Sequence, residues 1–143
     1  HTSDRSFWDI LKLAEGPVVA SHSNCRALCD VRRNLTDEQL RAIRDTGGVI
    51  GVNVYHGFVH AEPRMQTAAM LARHAAHIAE TIGPEHVACG FDFCEYFGPG
   101  NEGCEGMENC AQTGNFFFEL ERLGFSAAER QGIASENLLR VLE

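Results

Sequence analysis

The sequence is short of positive charge. Lysine and arginine total 12 against 20 aspartates and glutamates, for a net charge of −8. Lys12 is the one lysine, and no basic run occurs. That balance excludes a nucleic-acid or anionic-membrane surface as the main partner. No apolar run approaches the roughly 20 residues that cross a bilayer. The chain reaches Leu142-Glu143 without a hydrophobic tail, so no membrane anchor is expected in it. No signal-peptide pattern opens the sequence, which starts at His1 and not at a methionine. A C-x2-C pair is also lacking, which argues against a structural zinc ribbon.

What is present fits a folded domain. The chain has 143 residues, 44% of them apolar and 22% charged, about one small domain's worth. Its six cysteines, Cys25, Cys29, Cys89, Cys94, Cys104 and Cys110, read as reduced thiols of a cytoplasmic protein, with Cys25, Cys29 and Cys89 largely buried. Cys94, Cys104 and Cys110 fall in a Gly-rich loop, where the spacing leaves a bridge open.

Hydrophobic patterning alternates along the chain. Ser3 is placed to cap a helix carrying Phe7, Ile10, Leu11 and Ala14 on one face. Gly16-Pro17 stops it, and Pro17–Ser21 forms a short apolar run, the mark of a strand buried on both faces. Thr36-x-x-Gln39 is a capping box for a second helix, which ends at Gly47-Gly48. Val49–Tyr55 reads as the next buried strand, about Met65 to Ile82 as a long helix, and His86–Phe93 as a third strand. A loop rich in Gly, Glu and Cys covers 94–114. Helical stretches follow, one around Phe116 to Leu123 and one from the capping box at Ser126 to about Leu142. Strands alternating with helices predict parallel pairing and an α/β fold. Three strands make a poor sheet alone, whereas a (β/α)8 TIM-type barrel uses eight in about 250 residues. The chain is therefore expected to be the C-terminal portion of one barrel domain whose N-terminal part is absent.

In such barrels chemistry sits where strands end. The first strand ends in Ser21-His22-Ser23-Asn24, the second in Asn53-Val54-Tyr55-His56, and the third in Gly90-Phe91-Asp92-Phe93. His1 stands where a preceding strand would end. Two histidines and an aspartate at such positions suit a metal or an acid–base site. The other histidines read as structural: His74 and His77 as surface or partly buried positions of the long helix, His56 and His60 as loop, and His86 as the bottom of a strand. Glu102, Glu105 and Glu108 read as a solvated acidic face, and Phe116-Phe117-Phe118 as packing.

Several blocks together resemble the membrane dipeptidase (renal dipeptidase) family: His1-Thr2-Ser3-Asp4, Ala20–Asn24, Arg32–Asp37, Gly47–Asn53, Gly90–Phe93 and Glu136–Val141. They run in family order from the first residue to the last. The resemblance implies a zinc dipeptidase on a (β/α)8 barrel, with two zinc ions per complete site. It makes His1 and His22 ligands of one zinc. It makes Arg33 the arginine that contacts the dipeptide substrate and the charge of the tetrahedral intermediate, and Asp92 the acidic residue that handles a proton at the scissile nitrogen. Tyr55 and Phe58 are candidates for the substrate wall. The family's His-x-Asp pair, bridging glutamate and further substrate histidine have no counterpart in this sequence. Cys94-Glu95 also stands where many members have Asp-Gly.

Two other functions compete with a dipeptidase missing part of its barrel. One is an inactive folding or oligomerising unit that self-associates through an exposed strand edge. The other is a barrel metallohydrolase acting on other amides or lactams.

Overall fold

A computed structural model describes every residue from His1 to Glu143. The chain runs α1 (Asp4–Leu13), β1 (Val19–Ala20), α2 (Asp37–Asp45), β2 (Val49–Val52), α3 (His56–Val59), α4 (Ala68–Ile82), β3 (Val87–Cys89), α5 (Thr113–Arg122), α6 (Ala127–Gln131) and α7 (Asn137–Leu142). The strands are parallel in the order β1-β2-β3, with Ala20 opposite Ile50 and Val52 opposite Cys89. Parallel neighbours need long crossovers, and helices supply them here. This is the α/β fold expected from the alternation of patterns.

Local chemistry sets the helix starts. The Ser3 hydroxyl accepts from Ser6 N at the head of α1. Reciprocal capping boxes, Thr36 with Gln39 and Ser126 with Glu129, open α2 and α6. The long helix begins at Ala68 rather than Met65, because Pro63–Met65 form a 3-10 turn and Thr67 supplies the cap. The helix read around Phe116 begins earlier, at Thr113. The last one is interrupted by a π-helical turn at Gly132–Glu136. Next to that turn, the Asn137 amide donates to Pro84 O at 2.9 Å and Val87 O at 2.8 Å. These bonds tie the C-terminal helices to the base of β3.

The core lies between the sheet and the helices. All four residues of β2 are buried. Leu40 and Ile43 from α2, Leu71 and Ile78 from α4, and Phe116 and Leu120 from α5 close over it. Cys25, Cys29 and Cys104 are buried too, and all six thiols are free, so no bridge forms among Cys94, Cys104 and Cys110.

Four sequence expectations need correction. The first strand is not buried on both faces: Val19 is 38% exposed. β1 has one neighbour, so nothing in this chain covers its other edge. For the same reason Ile10, at 45% exposed, and Ala14 do not join Phe7 in the core. Glu108 is not simply solvated; it is half-buried, and its Oε1 accepts from Gly106 N at 3.0 Å. This bond holds its carboxyl below the usual range. Finally, His74 is fully buried, not a surface position. His86 fits its structural reading, with Nδ1 2.7 Å from Gly48 O. His77 is half-buried against Asp37, at 2.7 Å.

His74 is buried because both ring nitrogens are used. Nδ1 accepts from Cys25 N at 3.0 Å, which leaves Nε2 to donate to Val59 O at 2.8 Å. One imidazole thus joins the loop after β1 to α3. Desolvation lowers its pKa from 6.5 to about 4, despite the Val59 hydrogen bond. Between those values the unfolded chain binds a proton that the folded one does not, so folding stability falls with acidification. The unfolding free energy from urea titrations is expected to drop by up to about 3 kcal/mol between pH 7 and pH 4 on this account. His74→Leu is expected to flatten that segment of the pH profile. It also lowers stability at pH 7, because Cys25 N and Val59 O lose their partner.

Candidate active site

Parallel strands deliver their following loops to one edge of the sheet. Glycine lets the three strand ends close up there. A Cβ on Gly51 would meet Ser21 O and come within 2.9 Å of Gly90 Cα, and one on Gly90 would likewise meet Ser21 O. Side chains at either position are therefore blocked by backbone. His22, Asn53 and Asp92 leave the sheet just beyond this constriction.

His1, at the head of α1, meets His22 there. The two Nε2 atoms are 3.2 Å apart, and the rings are tilted by 51°. The Ser21 hydroxyl is 2.8 Å from His22 Nδ1, so that nitrogen can carry the proton and leave Nε2 its lone pair. The His22 pKa is lowered, first by desolvation and then by Arg33, against the attraction of Asp92. The net lowering favours the neutral imidazole that binds metals. Two nitrogens on one tetrahedral zinc, each about 2.05 Å from it, lie about 3.3 Å apart. The His1–His22 spacing fits that separation. No group of three or more His, Cys, Asp or Glu side chains in the chain is placed to hold a metal ion, so this pair offers two donors and not a complete ligand set.

A cleft of about 220 Å³ opens beside this pair, and His1, Arg33, Tyr55, Phe58 and Asp92 all line it. His22 lines an adjoining cavity of about 180 Å³ that also reaches His1 and Arg33. The Arg33 guanidinium lies 5.2 Å from the centre of the Phe58 ring. It pairs with no carboxylate, so its donors remain free for a ligand. Its loop is pinned by Asn34, whose buried amide donates to Cys29 O and Phe58 O at 2.9 Å each. Tyr55 packs against Phe58 with ring centres 4.8 Å apart. Cys94, Phe97 and Glu102 complete the wall from the loop after β3. Another cavity, of about 290 Å³, lies between α4 and the α5–α6 turn, away from the strand ends.

Asp92 is the one non-glycine residue with a left-handed backbone, at φ +60°. Its Oδ2 accepts from Asn53 Nδ2 at 3.2 Å. Asn53 meets the cleft through this bond to Asp92, and only its position at a strand end marked it in the sequence. His56 and His60 do not line the cleft; His60 Nδ1 accepts from Glu62 N at 3.0 Å.

The membrane dipeptidase (Peptidase family M19) model matches residues 1–143, the whole chain. The chain belongs to the membrane dipeptidase family. Members of this dipeptidase family are metallodipeptidases. A Klebsiella pneumoniae protein, named for its place in the pqqA 5′ region, is 47% identical over 96 residues, 65% of this chain and 35% of its own. Dipeptidase ataJ of Aspergillus terreus is 33% identical, over 100% of this chain and 34% of its own length. A Rhodobacter sphaeroides metallopeptidase, solved with a phosphinate mimic of the dipeptide L-Ala-D-Ala, superposes with a TM-score of 0.87 at 28% identity. That match covers 99% of this chain and 40% of the other. The chain thus spans about a third of the length of the curated relatives that it matches.

Proposed function

We propose that this chain forms the substrate side of a zinc-dependent dipeptidase site, completed by barrel segments that supply the remaining ligands. The observation that carries this reading is the His1–His22 pair, with Nε2 atoms 3.2 Å apart, beside a cleft holding Arg33 and Asp92. His1 and His22 would hold one of two zinc ions. Bound there, zinc lowers the pKa of water and polarises the peptide carbonyl. The rest falls to side chains of this chain. Arg33 binds the dipeptide and stabilises negative charge as the peptide carbon becomes tetrahedral. Phe58 lies against its guanidinium, and Tyr55 and Phe58 flank the substrate. Asp92 carries the proton that the leaving amine needs.

The free thiols fit a reducing, cytoplasmic setting. The uncovered edge of β1, with exposed Ile10, Leu13 and Val19, fits homo-oligomeric association or packing against further barrel strands.

The test is hydrolysis of a small dipeptide panel by the purified chain, with and without chelator, beside the same assay on a protein carrying the full barrel. Chelator-sensitive hydrolysis restored by zinc is expected in the full barrel, and the two-donor site predicts none in the 143 residues alone. A full barrel that cleaves amides or lactams but no dipeptide would transfer the site to another hydrolase reaction.

A further inference from the structure

We propose that Asn53 is a positioning residue for the reaction, orienting the Asp92 carboxylate through a hydrogen bond from its side-chain amide. The inference rests on the reading of Asp92 as the proton-handling group.

The geometry of Asn53 is specified at every polar atom. It is fully buried. The Asn24 side chain brackets its backbone: Asn24 Oδ1 accepts from Asn53 N, and Asn24 Nδ2 donates to Asn53 O, both at 2.9 Å. Asn24 is itself fully buried. Asn53 Oδ1 accepts from Tyr55 N at 2.7 Å. That donor decides which end of the amide is oxygen, so the NH2 must face Asp92. It donates to Asp92 Oδ2 at 3.2 Å.

Asp92 needs such a partner. It is exposed and sits on a left-handed backbone at the lip of the cleft. Neither carboxylate oxygen meets a cationic side chain within the chain. Oδ1 has only the Cys94 thiol, at 3.9 Å. With Oδ2 held by Asn53, Oδ1 is left for the substrate, and the carboxylate loses rotamer freedom before the reaction begins. Holding a reacting group in place supplies rate without touching the substrate. Asn53 is thus buried machinery reaching across 39 residues to a surface carboxylate.

Asn53→Ser isolates this role. Its hydroxyl keeps an acceptor for Tyr55 N, and the Asn24 bonds, which use backbone atoms, stay in place. The shorter side chain has no donor that reaches Asp92. In an active, zinc-loaded full barrel carrying this chain, Asn53→Ser is expected to lower kcat about 10- to 100-fold. KM is expected to stay within about threefold, as it does when a transition-state interaction alone is lost. Calorimetric binding of a phosphinate dipeptide mimic, which needs no turnover, is expected to weaken in step with kcat/KM. In an Asp92→Asn background the same substitution is expected to cost nothing further, since the carboxylate it orients is already gone. Should Asn53→Ser not fold, Asn53→Ala is read through the same cycle.

The outcomes separate the two readings. Full activity in Asp92→Asn would remove Asp92 from the chemistry and take this inference with it. An impaired Asp92→Asn beside an unimpaired Asn53 variant would overturn the inference and leave the Asp92 reading standing. Losses that multiply in full in the double variant would do the same.

Discussion

His22→Ala is expected to abolish dipeptidase activity in a full barrel carrying this chain, by on the order of 10³-fold or more. A catalytic metal is worth several kcal/mol of transition-state stabilisation, and each 1.36 kcal/mol is about tenfold in rate. His22 is half-buried at the end of β1, and its Nε2 lies 3.2 Å from that of His1. Removing it leaves His1 as the one donor of this pair to the metal. Elemental analysis after dialysis is expected to show about one zinc fewer per barrel, while the melting curve moves little, because the ring carries no core packing. Ser21→Ala tests the same centre more gently. Loss of the 2.8 Å contact to Nδ1 is expected to weaken metal binding about 10- to 100-fold, the usual effect of removing a ligand's outer partner. A His22→Ala protein that keeps its zinc and its activity would rule out this pair as ligands.

The second large effect is expected from Arg33→Lys. Lysine preserves the charge but not the fork of donors, and a single ammonium cannot lie flat over Phe58 while bonding a carboxylate or developing oxyanion in two places. Arg33 has no protein carboxylate to release. Its loss should therefore fall on the substrate and not on the fold. A drop of about 10²- to 10³-fold in kcat/KM is expected, the size seen when one oxyanion donor is removed, with zinc content unchanged. The contrast with His22→Ala is the informative part: one substitution loses metal and rate together, the other rate alone. Zinc loss in Arg33→Lys would show that the loop from Asp30 to Leu35 supports the metal pair instead of the substrate.

Much of this arrangement was legible in the residues. The capping boxes at Thr36–Gln39 and Ser126–Glu129 mark the helix starts seen in the structure. They are legible because a cap needs only a side chain and a backbone group three residues away. The short apolar runs from Val49 and Val87 locate β2 and β3, since a strand covered on both faces must be apolar throughout. His1, His22, Tyr55, Phe58 and Asp92 could be nominated because parallel strands send their C-terminal ends to one edge of a sheet, whereas Arg33 was marked only by the resemblance to the dipeptidase family. The errors share one cause. Val19 and Ile10 carry the pattern of core residues, yet whether a residue is covered depends on which other element packs over it. His74 looks like a helix-surface residue until Cys25 N and Val59 O are seen to use both ring nitrogens.

By itself, then, the sequence determined the order of helices and strands, their parallel pairing, and the set of side chains placed at strand ends. These follow from interactions a few residues long and from the handedness of the chain. Only the tertiary structure decided that His1 and His22, 21 residues apart, stand at the separation of two ligands on one metal. It also decided that Asn53 holds Asp92 and that Arg33 lies over Phe58 with its donors free. Those are distances between side chains on different elements. They are set by the close approach of backbone at Gly51 and Gly90 and by the buried amides of Asn24 and Asn34, which no periodicity or spacing encodes.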